Sequence, residues 1–328
     1  MGLPSVFQRY RGEIDRKLWA ILASSDSSMY DMLRYQLGWI DEQGSPLLNP
    51  SGKALRPTLC LLSKESISGT YEEALPAAAA IELIHNFSLI HDDVQDNDRI
   101  RRNRPSVWAI WGKPQAINAG DTIRISSDMS MMRLRDRGFP VEKLLQAMKL
   151  LNESCLQLIE GQFLDISYEN RANITTRDYL KMAKGKTAAL IACSLELGAL
   201  LATEDACTIQ AFKNCDKNLG FAFQIRDDLL GIWGDKDKLG KPIGSDILRK
   251  KKTFPVVYAW ENAKDLSRTM ITSLYQRETV DDHVRDVILG ILDDLNAPNQ
   301  WLTIIPNGHG LISRISFTPP GRMIVSRN

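Results

Sequence analysis

The 328-residue chain has almost no net charge: 41 Lys plus Arg stand against 40 Asp plus Glu, a formal +1 at pH 7. No whole-chain field would draw in a nucleic acid, so a general polyanion binder is excluded. Cysteine is scarce. The five thiols, Cys60, Cys155, Cys193, Cys207 and Cys215, include no CxxC pair. An odd number without a framework reads as reduced thiols in a cytosolic protein. The four histidines, His85, His91, His283 and His309, lack zinc-ligand spacing. No P-loop glycine pattern precedes Gly185-Lys186-Thr187, and no Ser/His/Asp or Cys/His arrangement stands out. Long hydrophobic runs are missing too. The most apolar stretch, Ala188 to Ala202, holds Ser194 and Glu196 and reads as too short to cross a bilayer. The first residues are charged almost at once, without the apolar core of a signal peptide, and Val6 breaks the myristoylation pattern. A cytoplasmic protein without a membrane span and without a nucleic-acid partner is expected.

What is present is a folded composition, with 44% hydrophobic and 25% charged residues, which argues against disorder. Glycine and proline cluster only at turns: Gly44 to Pro57, Gly112 to Pro114, Gly138 to Pro140 and Gly240 to Gly244. Between them run helix formers with apolar residues three and four apart. This pattern predicts an all-α fold, a single large helical bundle of about ten or more helices over residues 1–295. From about Asn296 proline, glycine and β-branched residues take over, so 296–328 is expected to be a non-helical tail, loosely docked or disordered.

The segment ELIHNFSLIHDDVQDNDRIRRNRP carries the strongest chemical signal. Asp92 and Asp96 are one helical turn apart on one face. Paired carboxylates repel unless a cation lies between them, and few hard oxygens suit Mg2+ that keeps waters and takes phosphate ligands. A solvated acidic helix end is the alternative. Ser88 and His85 continue the same stripe, and Arg99, Arg101, Arg102 and Arg104 follow. Guanidinium forks match phosphate oxygens; loop ion pairs with Asp96 and Asp98 are the other possibility.

FQIRDDLLGIWGD repeats the theme with Asp227, Asp228 and, one turn earlier, Gln224. Its i+4 position is Gly231, so a third carboxylate is missing there, and Asp235 is two turns on. Two such motifs on separate helices would face each other across a bundle cavity. Among the cations, Lys53 and Arg56 flank a loop-to-helix junction, where a helix start favours anions. Lys186-Thr187 reads as the opening of another apolar helix. Lys241 lies in the turn GKPIGSD, and most of the run Arg249 to Lys252 reads as a solvated face, with Lys251 or Lys252 as exceptions.

Taken in order, GKALRP, ELIHNFSLIHDDVQD, the Arg pair after it, Gly161-Gln162, GKTAAL, FQIRDDLLGIWGD and GKPIGSD resemble the trans-isoprenyl diphosphate synthase (polyprenyl synthetase) family, short-chain bacterial type. The resemblance implies an isoprenoid-synthase-like helical fold and a Mg2+-dependent prenyltransferase. The enzyme would condense an allylic diphosphate with isopentenyl diphosphate, and a homodimer is implied. Asp92, Asp96, Asp227 and Asp228 would be the metal residues, with Asp228 in support of Asp227. Arg101, Lys186 and Lys241 would stabilise the charge of the departing diphosphate, with Thr187 and Gln224 on the same substrate. Lys53, Arg56, His85 and Arg102 would hold isopentenyl diphosphate. Phe87 and Ser88, five and four places before the first motif, would limit chain length, and bulky Phe87 points to a short C15–C20 product. Three features depart from the family: Gly231, the polar run Thr122 to Asp128 with its Arg124–Asp128 pair, and the tail. Two further readings stay open, a terpene-synthase-like lyase on the same fold and a non-catalytic partner subunit.

Overall fold

The structure, a computed structural model, describes residues 8–22, 27–47, 52, 54–169, 171, 173–234, 244–277, 279–297, 315–318 and 322–325. Its elements are helices α1 (Arg11–Leu22), α2 (Ser28–Gln36), α3 (Leu55–Ser68) and α4 (Leu75–Gln95); a hairpin, β1 (Ile100–Arg101) and β2 (Arg104–Pro105); then α5 (Val107–Trp111), α6 (Lys113–Met132), α7 (Val141–Glu169), α8 (Thr176–Ala202), α9 (Ala206–Trp233), α10 (Ser245–Leu248), α11 (Phe254–Asn262), α12 (Asp265–Gln276) and α13 (Asp282–Asp294). Helices dominate, as the apolar periodicity predicts. Near the C-terminus β3 (Ile315–Thr318) pairs antiparallel with β4 (Arg322–Val325).

The chain forms two compact units, Met1–Leu158 with Leu190–Asp216 and Ile159–Ala189 with Lys217–Asn328. Each has its own core. In the first, Tyr10, Leu33, Leu61, Ile81, Leu83 and Ile123 are fully or almost fully buried. In the second, Tyr179, Phe254, Ile232 and Ile288 are.

Helix α4 carries the first acidic motif, and small residues explain its seat. Ala77, Ala78, Ala79 and Ala80 are buried, and α4 makes its most extensive packing with α6. Ser127 Oγ donates to the Ala80 carbonyl (3.0 Å) and Ser130 Oγ to the Pro76 carbonyl (2.7 Å). A Cβ at Gly120 would lie 2.3 Å from the His91 ring, so a larger residue there would displace that side chain. The polar run after Asp121 thus serves helix packing. Arg124 and Asp128 are half-buried; they pair at 2.8 Å, and Arg124 donates to Asn152 of α7.

A second difference concerns Lys186 and Thr187. They do not open a helix. Lys184–Ala188 is a π turn within the continuous helix α8. Gly161 of α7 faces it, and a Cβ there would stand 2.0 Å from the Lys186 backbone nitrogen. A widened turn with an absent side chain opposite is a common device at functional sites. With 27 residues, α8 is long and apolar enough to span a membrane, unlike the shorter stretch read from sequence, and 61% of its apolar window is buried inside the protein.

Candidate active site

In the first unit α4 ends where its chemistry begins. Asp96 is the C-cap, its N–H bonded to the Asp92 carbonyl at 2.8 Å. Asn97 then takes a left-handed φ of 54°, and the Asp98 N–H reaches back to the Asp93 carbonyl at 2.9 Å. This is a Schellman-type stop, with asparagine in the usual glycine place. Asp92 is half-buried and Asp96 exposed, while Asp93 is 1% exposed.

Asp93 faces inward and grips Arg101. The guanidinium reaches both carboxylate oxygens, with contacts of 2.6, 2.7 and 2.8 Å. Burial pushes the Asp93 carboxyl up, but this bidentate fork holds the ionised pair. Burial opposes the Arg101 charge too, yet Asp93 outweighs it and raises that group. Arg101 stands on β1, in a hairpin whose two-residue turn is Arg102-Asn103, with φ of 52° and 62°. Two positive φ values mark a type I′ turn, which favours Asn and Gly. A non-glycine residue held there is strained, and here the strain sets Arg102 at the hairpin tip. The other two arginines stack on aromatic rings, Arg99 over Trp108 and Arg104 over Tyr35.

Arg56, in the first turn of α3, is 9% exposed, and its Nη1 lies 3.3 Å from His85 Nε2. Burial, then the charges of Arg56, Arg102 and Arg101, push His85 well below the ordinary imidazole value. It is therefore a neutral hydrogen-bonding group among arginines. In the unfolded chain that imidazole would take a proton near pH 6.5. Below that pH the unfolded state binds more protons, so stability falls as pH falls. His85→Gln removes this contribution. The urea midpoint of the variant is expected to drop less between pH 7.5 and 5.5 than that of the parent; an equal drop would contradict a neutral His85.

Phe87 and Ser88 are both 8% exposed. The Phe87 ring stands edge-on to His91 at 4.8 Å, and Ser88 Oγ donates to the His85 carbonyl at 2.8 Å. Lys53 lies outside the described residues, as do Lys241 and Asp235.

In the second unit Asp227 is exposed and Asp228 is 3% exposed. Asp228, expected as a metal residue, is turned inward. It accepts from Tyr179 Oη (2.7 Å), the Phe254 N–H (2.9 Å) and Gln224 Nε2 (2.8 Å). Burial raises its carboxyl to about 6. Gln224 also takes the Thr187 hydroxyl, so Thr187, Gln224 and Asp228 form one chain of hydrogen bonds. Lys186 pairs with Asp165 of α7. Burial pushes Asp165 up, but Lys186 and Lys251 outweigh it and hold the carboxyl below its usual value. Lys252 is buried over Trp260 and Tyr275, 4.8 Å from each ring, and burial lowers it to about 8. It is a packing cation, not the phosphate ligand that the sequence allowed.

A profile described as polyprenyl synthetase matches residues 38–291. The chain belongs to the polyprenyl synthetase family. It is 40% identical over 272 residues to a geranylgeranyl diphosphate synthase of Mycobacterium tuberculosis, covering 83% of this chain and 76% of that one. It is 42% identical over 233 residues to a (2E,6E)-farnesyl diphosphate synthase of Mycobacterium bovis, covering 71% of this chain and 64% of the relative, just under two thirds of its length. The crystal structure of a polyprenyl synthetase from Streptomyces coelicolor A3(2) superposes with a TM-score of 0.84 at 33% identity, covering 94% of this chain and 91% of that one.

Members of the polyprenyl synthetase family use divalent metal ions. Among the described residues no three His, Cys, Asp or Glu side chains converge into a closed metal cage. Two carboxylates one turn apart, with open solvent at Asp96, suit a hard ion that keeps waters and takes substrate oxygens. The donor set therefore fits Mg2+. Three residues were missed in the sequence. Asp93 and Asp165 orient Arg101 and Lys186. The third, Asp246 of α10, stands beside the Gly231 departure. A Cβ at Gly231 would stand 2.1 Å from an Asp246 carboxylate oxygen. An Asp246 carboxylate thus lies directly against Gly231, where the second motif has no side chain of its own. Aspartate doublets were the only signal for Asp93; Asp246 closes the GKPIGSD motif but was not singled out, and nothing local signalled Asp165.

Proposed function

We propose that this chain is a short-chain trans-isoprenyl diphosphate synthase, condensing an allylic diphosphate with isopentenyl diphosphate to a C15–C20 product. The observation that carries this is the joint presence, on one helix end and the hairpin after it, of open carboxylates and a locked guanidinium. The names of the two mycobacterial relatives, geranylgeranyl and farnesyl diphosphate synthase, support the product class.

In this reaction the allylic C–O bond breaks and a delocalised cation forms. The double bond of isopentenyl diphosphate then attacks, and a proton passes to the departing diphosphate. Bound at Asp92 and Asp96, and at Asp227, Mg2+ would neutralise diphosphate charge as a Lewis acid. Arg101, Lys186 and Lys241 would each contribute positive charge to the diphosphate, with Thr187 and Gln224 as hydrogen-bond partners. Asp93 and Asp165 keep two of those cations aimed, and Asp228 keeps Gln224 in place. Arg56, Arg102 and Lys53 hold the isopentenyl diphosphate, and His85 assists as a neutral partner. Holding both substrates supplies proximity. Full-chain protein given Mg2+ and both diphosphates is expected to release a longer allylic diphosphate; release of product without isopentenyl diphosphate would instead support a lyase.

Phe87 is taken as the residue limiting chain growth. Phe87→Ala is expected to shift chromatographed products upward by at least one C5 unit, and an unchanged product would remove Phe87 from that role.

Exposed Ile125, Met129 and Met132 on α6, with Leu145 and Leu156 on α7, support a homodimer buried through these helices. A cytoplasmic location fits a family of soluble synthases and a mostly buried α8. The catalytic body is assigned to 1–295, with 296–328 as an appended tail.

A further inference from the structure

Arg11, the first residue of α1, lies outside the residues matched by the family profile, 38–291. It nevertheless reaches the Gly52 segment. Its Nη1 donates to the Gly52 carbonyl, and its Nε is anchored by Asp15 one turn along, at 2.6 Å. Gly52 in turn lies close to Arg102, with no room for a side chain between them. Its φ is 110°, and a Cβ built there would stand 3.1–3.4 Å from the Arg102 guanidinium. Two side-chain contacts of Arg11, to Asp15 and to the Gly52 carbonyl, thus hold the glycine beside which the hairpin-tip guanidinium lies. Beneath them is Glu82, 7% exposed, held by Asn86 Nδ2 at 3.3 Å. Burial raises the Glu82 carboxyl, and Arg102, Arg56 and Arg11 oppose that rise.

We propose that Arg11 is a positioning residue for the isopentenyl diphosphate site: it clamps the Gly52 carbonyl and so fixes the backbone against which the Arg102 guanidinium is set. This rests on the assignment of Arg56 and Arg102 to isopentenyl diphosphate. Arg11 is the only α1 side chain given such a part. Its planar fork suits the task, because it serves Asp15 and Gly52 at once, which the single ammonium of lysine does less well.

The test is steady-state kinetics of the full chain with Mg2+, varying each diphosphate separately. Arg11→Met keeps the aliphatic stem and removes the fork. It is expected to raise KM for isopentenyl diphosphate by about tenfold, the scale of one charged contact. The allylic KM and kcat should stay within about twofold, and Arg11→Lys, which keeps the charge but not the fork, should recover only part of the loss. An unchanged KM in Arg11→Met, or an equal loss in kcat and both KM values, would overturn the proposal. Should Arg11→Met not fold, Asp15→Asn loosens the same fork, and an unchanged isopentenyl diphosphate KM there would overturn it. Arg56→Ala is run in parallel. If Arg56→Ala leaves that KM unchanged, the substrate assignment itself fails; if only the Arg11 and Asp15 variants leave it unchanged, the clamp alone fails.

Discussion

Asp92→Asn is expected to lower kcat by about a thousandfold or more, with the fold intact. The substitution keeps size and helix position but removes the charge that makes the site a place for a divalent ion. Losing a Lewis acid's hold on a developing diphosphate is worth several kcal/mol, about three decades in rate. The neighbouring groups cannot compensate. Asp93 is buried and committed to Arg101, and Asp96 alone leaves a single exposed carboxylate. Rate measurement with saturating Mg2+, beside far-ultraviolet circular dichroism, checks this. A loss under tenfold with native helicity would show that Asp92 is not the metal residue.

Asp93→Ala is expected to act on stability and activity together. It leaves the Arg101 guanidinium, 28% exposed as a side chain, without the carboxylate it grips. Breaking a buried pair from one side costs about 3 kcal/mol. Removing both partners strands no charge, so Asp93→Ala with Arg101→Ala should be more stable than Asp93→Ala alone. Activity falls in both, because Arg101 is either unaimed or gone. Urea denaturation of the two single variants and the double variant gives the cycle. Additive losses would mean that the three short contacts hold nothing together.

The helices were legible because apolar residues recur at helical spacing over long stretches. The pairing of Asp92 with Asp96 was legible because residues four apart share a helix face whatever the tertiary structure does. Which member of an Asp-Asp doublet turns inward was not. Adjacent residues point about 100° apart on a helix, and only packing decides between them. That packing buries Asp93 against the hairpin and Asp228 against Tyr179 and the start of α11. The hairpin itself was hidden because its type I′ turn uses Arg102-Asn103 rather than Asn-Gly. The π turn at Lys184–Ala188 was read as a helix start for a related reason. Its widening goes with a close approach to Gly161, over twenty residues away in the chain, rather than with any local residue. Gly231 looked like a loss, but an Asp246 carboxylate lies directly against it.

The most direct test of the whole scheme is product analysis of the purified full chain with Mg2+, isopentenyl diphosphate and C5, C10 or C15 allylic diphosphate. A C15–C20 allylic diphosphate that forms only when both substrates and Mg2+ are present is the expected result. Product from the allylic diphosphate alone, or no turnover with any of the three, would contradict it.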